Sequence, residues 1–184
     1  MSREGYQQHD LLISPIGANV AVLLAAVPLT MLTFALYAAV AGGSPNRFEF
    51  TFDPLVLVAV IALIVVHELI HGFTWGLFSK NHYRDIEFGV IWKCLMPYCT
   101  CTAPLKKGPY ILGGLMPLMA LGLIPLAYGI ATSMPGVTVV GMLMTLCAGG
   151  DVLIVIKLLR FRTTASDVVI YDHPTCGGSV VFTR

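Results

Sequence analysis

The sequence predicts an all-α integral membrane protein of four transmembrane helices, with a small β-hairpin after the second helix and a short cytoplasmic hairpin in the C-terminal tail. Three observations predict it. Hydrophobic residues make up 57% of the chain and charged residues 11%, where a soluble domain carries about 25% charged residues. Four segments, 16–41, 55–78, 110–131 and 137–159, are long and apolar enough to cross a hydrocarbon core of about 30 Å, which takes roughly 20 helical residues. The lysines and arginines fall almost entirely on one side of those crossings. No linker, repeat or low-complexity tract divides the chain, so residues 1–184 read as a single membrane domain.

The first segment, 16–41, ends in Ala39-Val40-Ala41, which has the look of a signal cleavage site. Its apolar run far exceeds the roughly 7–15 residues of a signal-peptide core, so it reads as a retained helix. Segment 55–78 is uncharged except for His67-Glu68-Leu69-Ile70-His71. In the loop after it, 86–92 is rich in β-branched and aromatic residues and 95–104 is its expected return strand. Segment 110–131 carries Pro117 and Pro125, as 16–41 carries Pro28; these are expected to kink the helices where neighbours satisfy the freed carbonyls. Gly113, Gly114 and Gly122 permit close helix contact. Segment 137–159 carries Asp151, and in the tail 160–184 strands at 168–171 and 179–182 flank the turn-rich 172–178.

Orientation follows from charge. Arg3, Lys80, Arg84, Lys93, Lys106, Lys107, Lys157, Arg160, Arg162 and Arg184 share one side, with Arg47 opposite. The positive-inside rule then makes both termini and the 79–109 loop cytoplasmic. Cys94, Cys99, Cys101, Cys147 and Cys176 consequently lie in cytoplasmic or membrane regions, where disulfides are disfavoured. A net charge of +1 gives no basis for nucleic-acid binding.

His67 and His71, four residues apart, fall on one helix face and can share a metal, while Glu68 can reach a water bound to it. An ionised side chain in mid-membrane costs roughly 2.5–3.5 kcal/mol on insertion scales, so Glu68 and Asp151 each need a role or a partner. A zinc ion would serve both. Catalytic zinc usually takes three protein ligands and leaves a fourth position for water, and Asp151 is the expected third. His71 lies nine residues before Lys80 and Asp151 nine before Arg160, which puts both about 13 Å from the same membrane boundary on helices running in the same direction. The zinc would acidify its water, Glu68 would move the proton, and no residue stands out as a second oxyanion contact.

His67 to His71, a β-like segment, one intervening helix and Gly149-Gly150-Asp151 follow one another in the order of the site-2 protease class of intramembrane metalloproteases, which the chain resembles. More closely, through His67 to Gly72, Pro97-Tyr98-Cys99-Thr100-Cys101 with Pro104-Leu105, Gly150-Asp151 and Asp172-His173-Pro174, it resembles a family of small bacterial membrane proteins described as putative zincin peptidases. The resemblance implies zinc-dependent peptide hydrolysis in a bacterial or archaeal cell membrane, with a membrane protein or peptide as substrate. Site-2 proteases often read Leu-Asp-Gly around the aspartate, whereas this chain has Gly150-Asp151-Val152. A helical substrate must unwind before cleavage, and the 86–92 strand is expected to capture it by strand addition, with Val90→Pro abolishing cleavage and sparing the metal.

Plainer readings exist for several residues. Asp151 could pair with Lys157, though six residues apart is a poor match of helix faces. Cys94, Cys99 and Cys101 could hold a second metal but lack a clear companion pair, and loop thiols are the default. His173 and Cys176 fall in a turn, where a structural role is the ordinary one, and His9 and His82 read as solvated. The competing function is a metal-binding membrane protein without hydrolysis, such as a carrier, sensor or pseudoprotease scaffold; it needs the three ligands but leaves Glu68 without a task. A purely structural membrane protein would purify without zinc.

Overall fold

The structure is a computed structural model that describes residues 5–42, 54–92, 96–173 and 177–184. Arg3, Arg47, Lys93, Cys94, Pro174 and Cys176 lie outside the described residues. The chain is mostly helical with two small sheets. Three helical stretches are long and apolar enough to cross a membrane, and a fourth crossing is counted only if a pair of helices bent by 46° is taken as one span.

A strand not expected from the sequence comes first, β1 (Gln7–Leu12). Its residues are mostly polar, so no apolar period marks it; it is held by pairing antiparallel with the last strand of the chain. Helix α1 (Pro15–Val40) follows at once. Ser14 caps it, its hydroxyl accepting from the Gly17 amide at 3.4 Å, and Pro15 occupies the first turn, where a missing N–H costs nothing. Leu23, Leu24, Val27 and Met31 stand exposed along α1, while Thr33 and Tyr37 are buried. So large an uncovered apolar face is compatible with a lipid neighbour.

Helix α2 (Pro54–Phe78) carries the histidine motif. A short 3-10 turn (His82–Asp85) then leads into the predicted hairpin, β2 (Ile86–Ile91) and β3 (Met96–Cys101), paired from Ile86↔Cys101 to Ile91↔Met96. The hairpin folds back on α2. A Cβ placed on Gly72 would lie 2.5 Å from Phe88 Cζ, and one on Gly76 would lie 2.4 Å from Tyr83 Cδ1, so these two glycines make the seat. Asp85 locks the turn by accepting hydrogen bonds from Ser79 Oγ, from the Asn81 amide at 2.9 Å and from Asn81 Nδ2 at 3.0 Å. The Ser79 and Asn81 hydrogen bonds hold its carboxyl below the usual carboxylate range. A depressed pKa contributes stability above the ordinary value near 4 that is lost as pH falls through the native one. Asp85→Ala is therefore expected to lower the thermal midpoint in detergent at pH 7, with the gap from wild type narrowing as the pH falls below about 4. A gap unchanged at pH 3 would rule out a charge-dependent lock.

The third predicted helix is not continuous. It consists of α3 (Lys107–Pro117), a π-helical turn (Leu118–Leu123) and α4 (Ile124–Ala131). Pro117 and Pro125 bracket the wide turn, because neither can donate to the carbonyl four residues back. The fourth is also divided, into α5 (Pro135–Cys147) and α6 (Gly149–Arg160), bent at Ala148. Gly149 and Gly150 are the weakest helix formers at that point. A Cβ on Gly149 would lie 2.4 Å from Val22 Cγ2, so the absence of a side chain there lets α1 approach. Helices α4 and α5 pack as a close antiparallel pair, with a Cβ on Gly141 falling 2.4 Å from the Leu126 backbone nitrogen.

The predicted tail hairpin is one part of a three-stranded antiparallel sheet. Strands β4 (Val168–Asp172) and β5 (Gly178–Thr183) pair with one another, and β5 is central, between β1 and β4. Burial of Ser179, Val180 and Val181 on β5 agrees with that position. The main core joins both sheets to the helices: Trp75, Cys101, Leu105, Tyr110, Leu158, Ile170 and Val181 pack together.

Candidate metal centre

The four-residue spacing on α2 does what helix geometry requires of it: His67 and His71, both buried, present their rings on one face. The bend before α6 delivers the third group, since Asp151 falls in the first turn of that helix. His67 Nε2 lies 3.1 Å from Asp151 Oδ2, His71 Nε2 lies 3.4 Å from the same oxygen, and the two nitrogens are 3.1 Å apart. Among the described residues, this is the grouping of His, Cys, Asp and Glu side chains that could hold a metal ion.

The chemistry of the donor set fits a cation. His71 Nδ1 lies 2.9 Å from the Gly113 carbonyl, which can only accept, so Nδ1 carries a proton and the neutral ring presents its lone pair at Nε2. That lone pair then faces a carboxylate oxygen and a second imidazole nitrogen, an arrangement that a positive ion stabilises. The spacing fits zinc as well. Tetrahedral zinc bonds of about 2.0–2.1 Å hold neighbouring ligand atoms about 3.3–3.4 Å apart, close to all three separations here.

Gly113 and Pro117 explain why the carbonyl is available. In a regular helix the Gly113 carbonyl would accept from the amide of residue 117, and proline has none. The freed carbonyl is satisfied by His71 of the neighbouring helix. Gly113 also has no side chain to obstruct Trp75, whose indole would lie 2.1 Å from an added Cβ. Trp75 continues the His67–His71 stripe by another four residues. It stacks on His71 at 5.0 Å and 18°, and on Tyr110 at 5.6 Å and 22°, and its Nε1 donates to the Tyr110 carbonyl at 3.1 Å.

Glu68 sits beside the cluster without joining it, half-buried, with its carboxylate next to the backbone amide of Cys99. That contact shows which edge of the hairpin faces the centre. Residues of an antiparallel pair alternate in turning their backbone groups toward the partner or away. Cys101, two residues on and of the same parity, donates its amide to Asp172 Oδ2 at 3.0 Å. The outward edge of β3 therefore faces the centre, and β2, which the sequence favoured for capture, lies on the far side of the hairpin.

The remaining candidates take ordinary roles. Lys157 donates to the Leu12 carbonyl, tying α6 to β1, so it does not replace the histidines as partner of Asp151. Cys99 and Cys101 are free thiols that burial pushes upward in pKa, and Cys101 Sγ donates to the Ala103 carbonyl at 3.5 Å. Protonated thiols are poor metal ligands. The His173 amide donates to the Gly178 carbonyl and closes the β4–β5 turn. His9 is not merely solvated: its ring packs on Phe161 at 5.1 Å and lies 3.3 Å from Thr183 Oγ1. His82 is exposed.

Sequence reasoning missed Trp75, Gly113, Tyr110 and Asp172. The four-residue stripe extended to Trp75, and the proline four residues beyond Gly113, were signals that could have found the first two. Residues 60–166 match the model of the protein family described as Putative zincin peptidase. No curated protein and no solved structure shows a significant match.

Proposed function

This chain belongs to the Putative zincin peptidase family, and from that premise we propose that it is an intramembrane zinc metallopeptidase with a membrane-embedded or membrane-proximal polypeptide as substrate. The observation that carries the reading is the convergence of His67, His71 and Asp151 from two apolar helices, with Glu68 alongside. Zinc bound there would supply a Lewis acid and a water acidified toward neutral pH. His67, His71 and Asp151 hold the ion; Gly113 fixes the His71 tautomer. Glu68 accepts the proton of the attacking water and returns it to the leaving amine. The Cys99 amide orients the Glu68 carboxylate before substrate arrives.

A metal carrier or scaffold accounts for the three ligands equally well but leaves an ionisable glutamate in an apolar helix with nothing to do. The one-sided distribution of Lys and Arg supports a cytoplasmic side for both termini and the hairpin loop. The test is reconstitution of the purified protein in liposomes with a panel of single-span membrane peptides, the cut sites being mapped by mass spectrometry. The reading predicts cuts within or bordering the apolar span, abolished by a chelator and restored by zinc. Cuts confined to water-exposed segments, or cleavage indifferent to chelation, would overturn it.

Capture of an unwound substrate as an added strand belongs on the outward edge of β3, beside Glu68. Cys99→Pro removes an amide from that edge and leaves the β2–β3 ladder intact, and is expected to stop cleavage with zinc retained. Val90→Pro acts on the far edge, opposite Pro97, and is expected to leave cleavage close to wild type. The reverse pattern would move capture to β2.

A further inference from the structure

We propose that Asp172, at the end of β4 in the terminal sheet, is a positioning residue that sets both the metal ligand His71 and the base Glu68. The proposal rests on the zinc reading above. Asp172 spends its acceptor capacity on two elements of the centre. Oδ1 accepts from the Tyr110 hydroxyl of α3 at 2.6 Å, and Oδ2 accepts from the Cys101 amide at 3.0 Å and the Thr100 hydroxyl at 3.1 Å, both on β3.

Each bond leads to the chemistry by a short path. Tyr110 is the outer plate of the stack Tyr110–Trp75–His71, and its carbonyl also holds the Trp75 indole. Anchoring the phenol steadies the Trp75 ring packed on it, and the His71 ring lies nearly flat on the other side of that indole. Along the second path, Cys101 and Cys99 share one edge of β3, and the Cys99 amide meets Glu68. A shift of that edge would carry the Glu68 partner with it. Burying a carboxylate is costly unless it is fully hydrogen-bonded, and three donors from two elements meet the requirement. An asparagine could not replace it in full, because only one of its two terminal atoms accepts, whereas both carboxylate oxygens of Asp172 do.

The two paths make separable predictions, read by zinc affinity in competition with a chromophoric chelator, by the visible spectrum of the cobalt-substituted protein, and by kcat. Tyr110→Phe keeps the ring but loses the anchor; zinc affinity should fall about 10-fold, the lower end of what outer partners of metal ligands cost, with an altered cobalt spectrum. Thr100→Val loosens β3, and should lower kcat with zinc affinity and cobalt spectrum unchanged. Asp172→Ala should show both effects, and if it does not fold the two milder variants carry the test. Wild-type affinity, spectrum and kcat in Tyr110→Phe and Thr100→Val would overturn the role of Asp172 while leaving the metallopeptidase reading intact. Wild-type protein that takes up no zinc would overturn that reading first, and this role with it.

Discussion

Replacing Glu68 with glutamine is expected to reduce peptide cleavage by about 10²–10⁴-fold, the range over which a positioned general base acts, with zinc content unchanged. The geometry separates the two effects. Glu68 is not among the atoms that converge on the proposed ion; its carboxylate is turned to the Cys99 amide. Glutamine preserves the size of the side chain and an acceptor for that amide but cannot take a proton from water. Comparing membrane-protein fragments in cells carrying wild type or Glu68→Gln, alongside metal analysis of both purified proteins, reads the two effects together. Equal zinc with fragments produced only by wild type fits hydrolysis. Identical fragments would favour the carrier or scaffold.

The second large effect is expected at Asp151. Asp151→Ala should remove bound zinc and abolish cleavage, exceeding the roughly 10–100-fold loss of affinity that follows removal of a partner outside the ligand shell. It also leaves two histidine nitrogens of α2 3.1 Å apart without the α6 carboxylate that faces them both. Lys157→Ala is the matched control, because its ammonium serves the Leu12 carbonyl rather than Asp151. Competition with a chromophoric chelator measures both. Near-wild-type affinity in Asp151→Ala would remove α6 from the metal centre.

The legible parts of the chain were those that depend on local periodicity. The apolar runs marked the helices to within a few residues, the β-branched cluster at 86–92 marked β2, and the four-residue spacing placed His67 and His71 on one face. Asp151 was found by depth counting along straight helices. The arithmetic named the residue that the fold brings beside His67 and His71, yet the bend at Ala148 turns a mid-helix aspartate into a first-turn one. Two adjacent glycines announce such a bend only once a neighbour such as Val22 is known to press there. Strand β1 was invisible for a related reason, because its order comes from β5 at the other end of the chain. Asp172 was noticed only as part of a family-like tripeptide. Its three donors come from residues 62 to 72 positions away, and no window of sequence brings them together. The 86–92 strand was expected to capture substrate because an apolar strand pattern follows the motif; which hairpin edge lies beside Glu68 depends on backbone parity in β3, which composition does not reveal.

The most direct test of the account is zinc-edge X-ray absorption of the purified, zinc-loaded protein, wild type beside Asp151→Ala. The account predicts a wild-type shell of nitrogen and oxygen at about 2.0–2.1 Å with scattering from two imidazoles and no sulfur, and loss of that shell in the variant. A sulfur shell at about 2.3 Å, drawn from the cysteines of the hairpin, or an unchanged spectrum in Asp151→Ala, would contradict it.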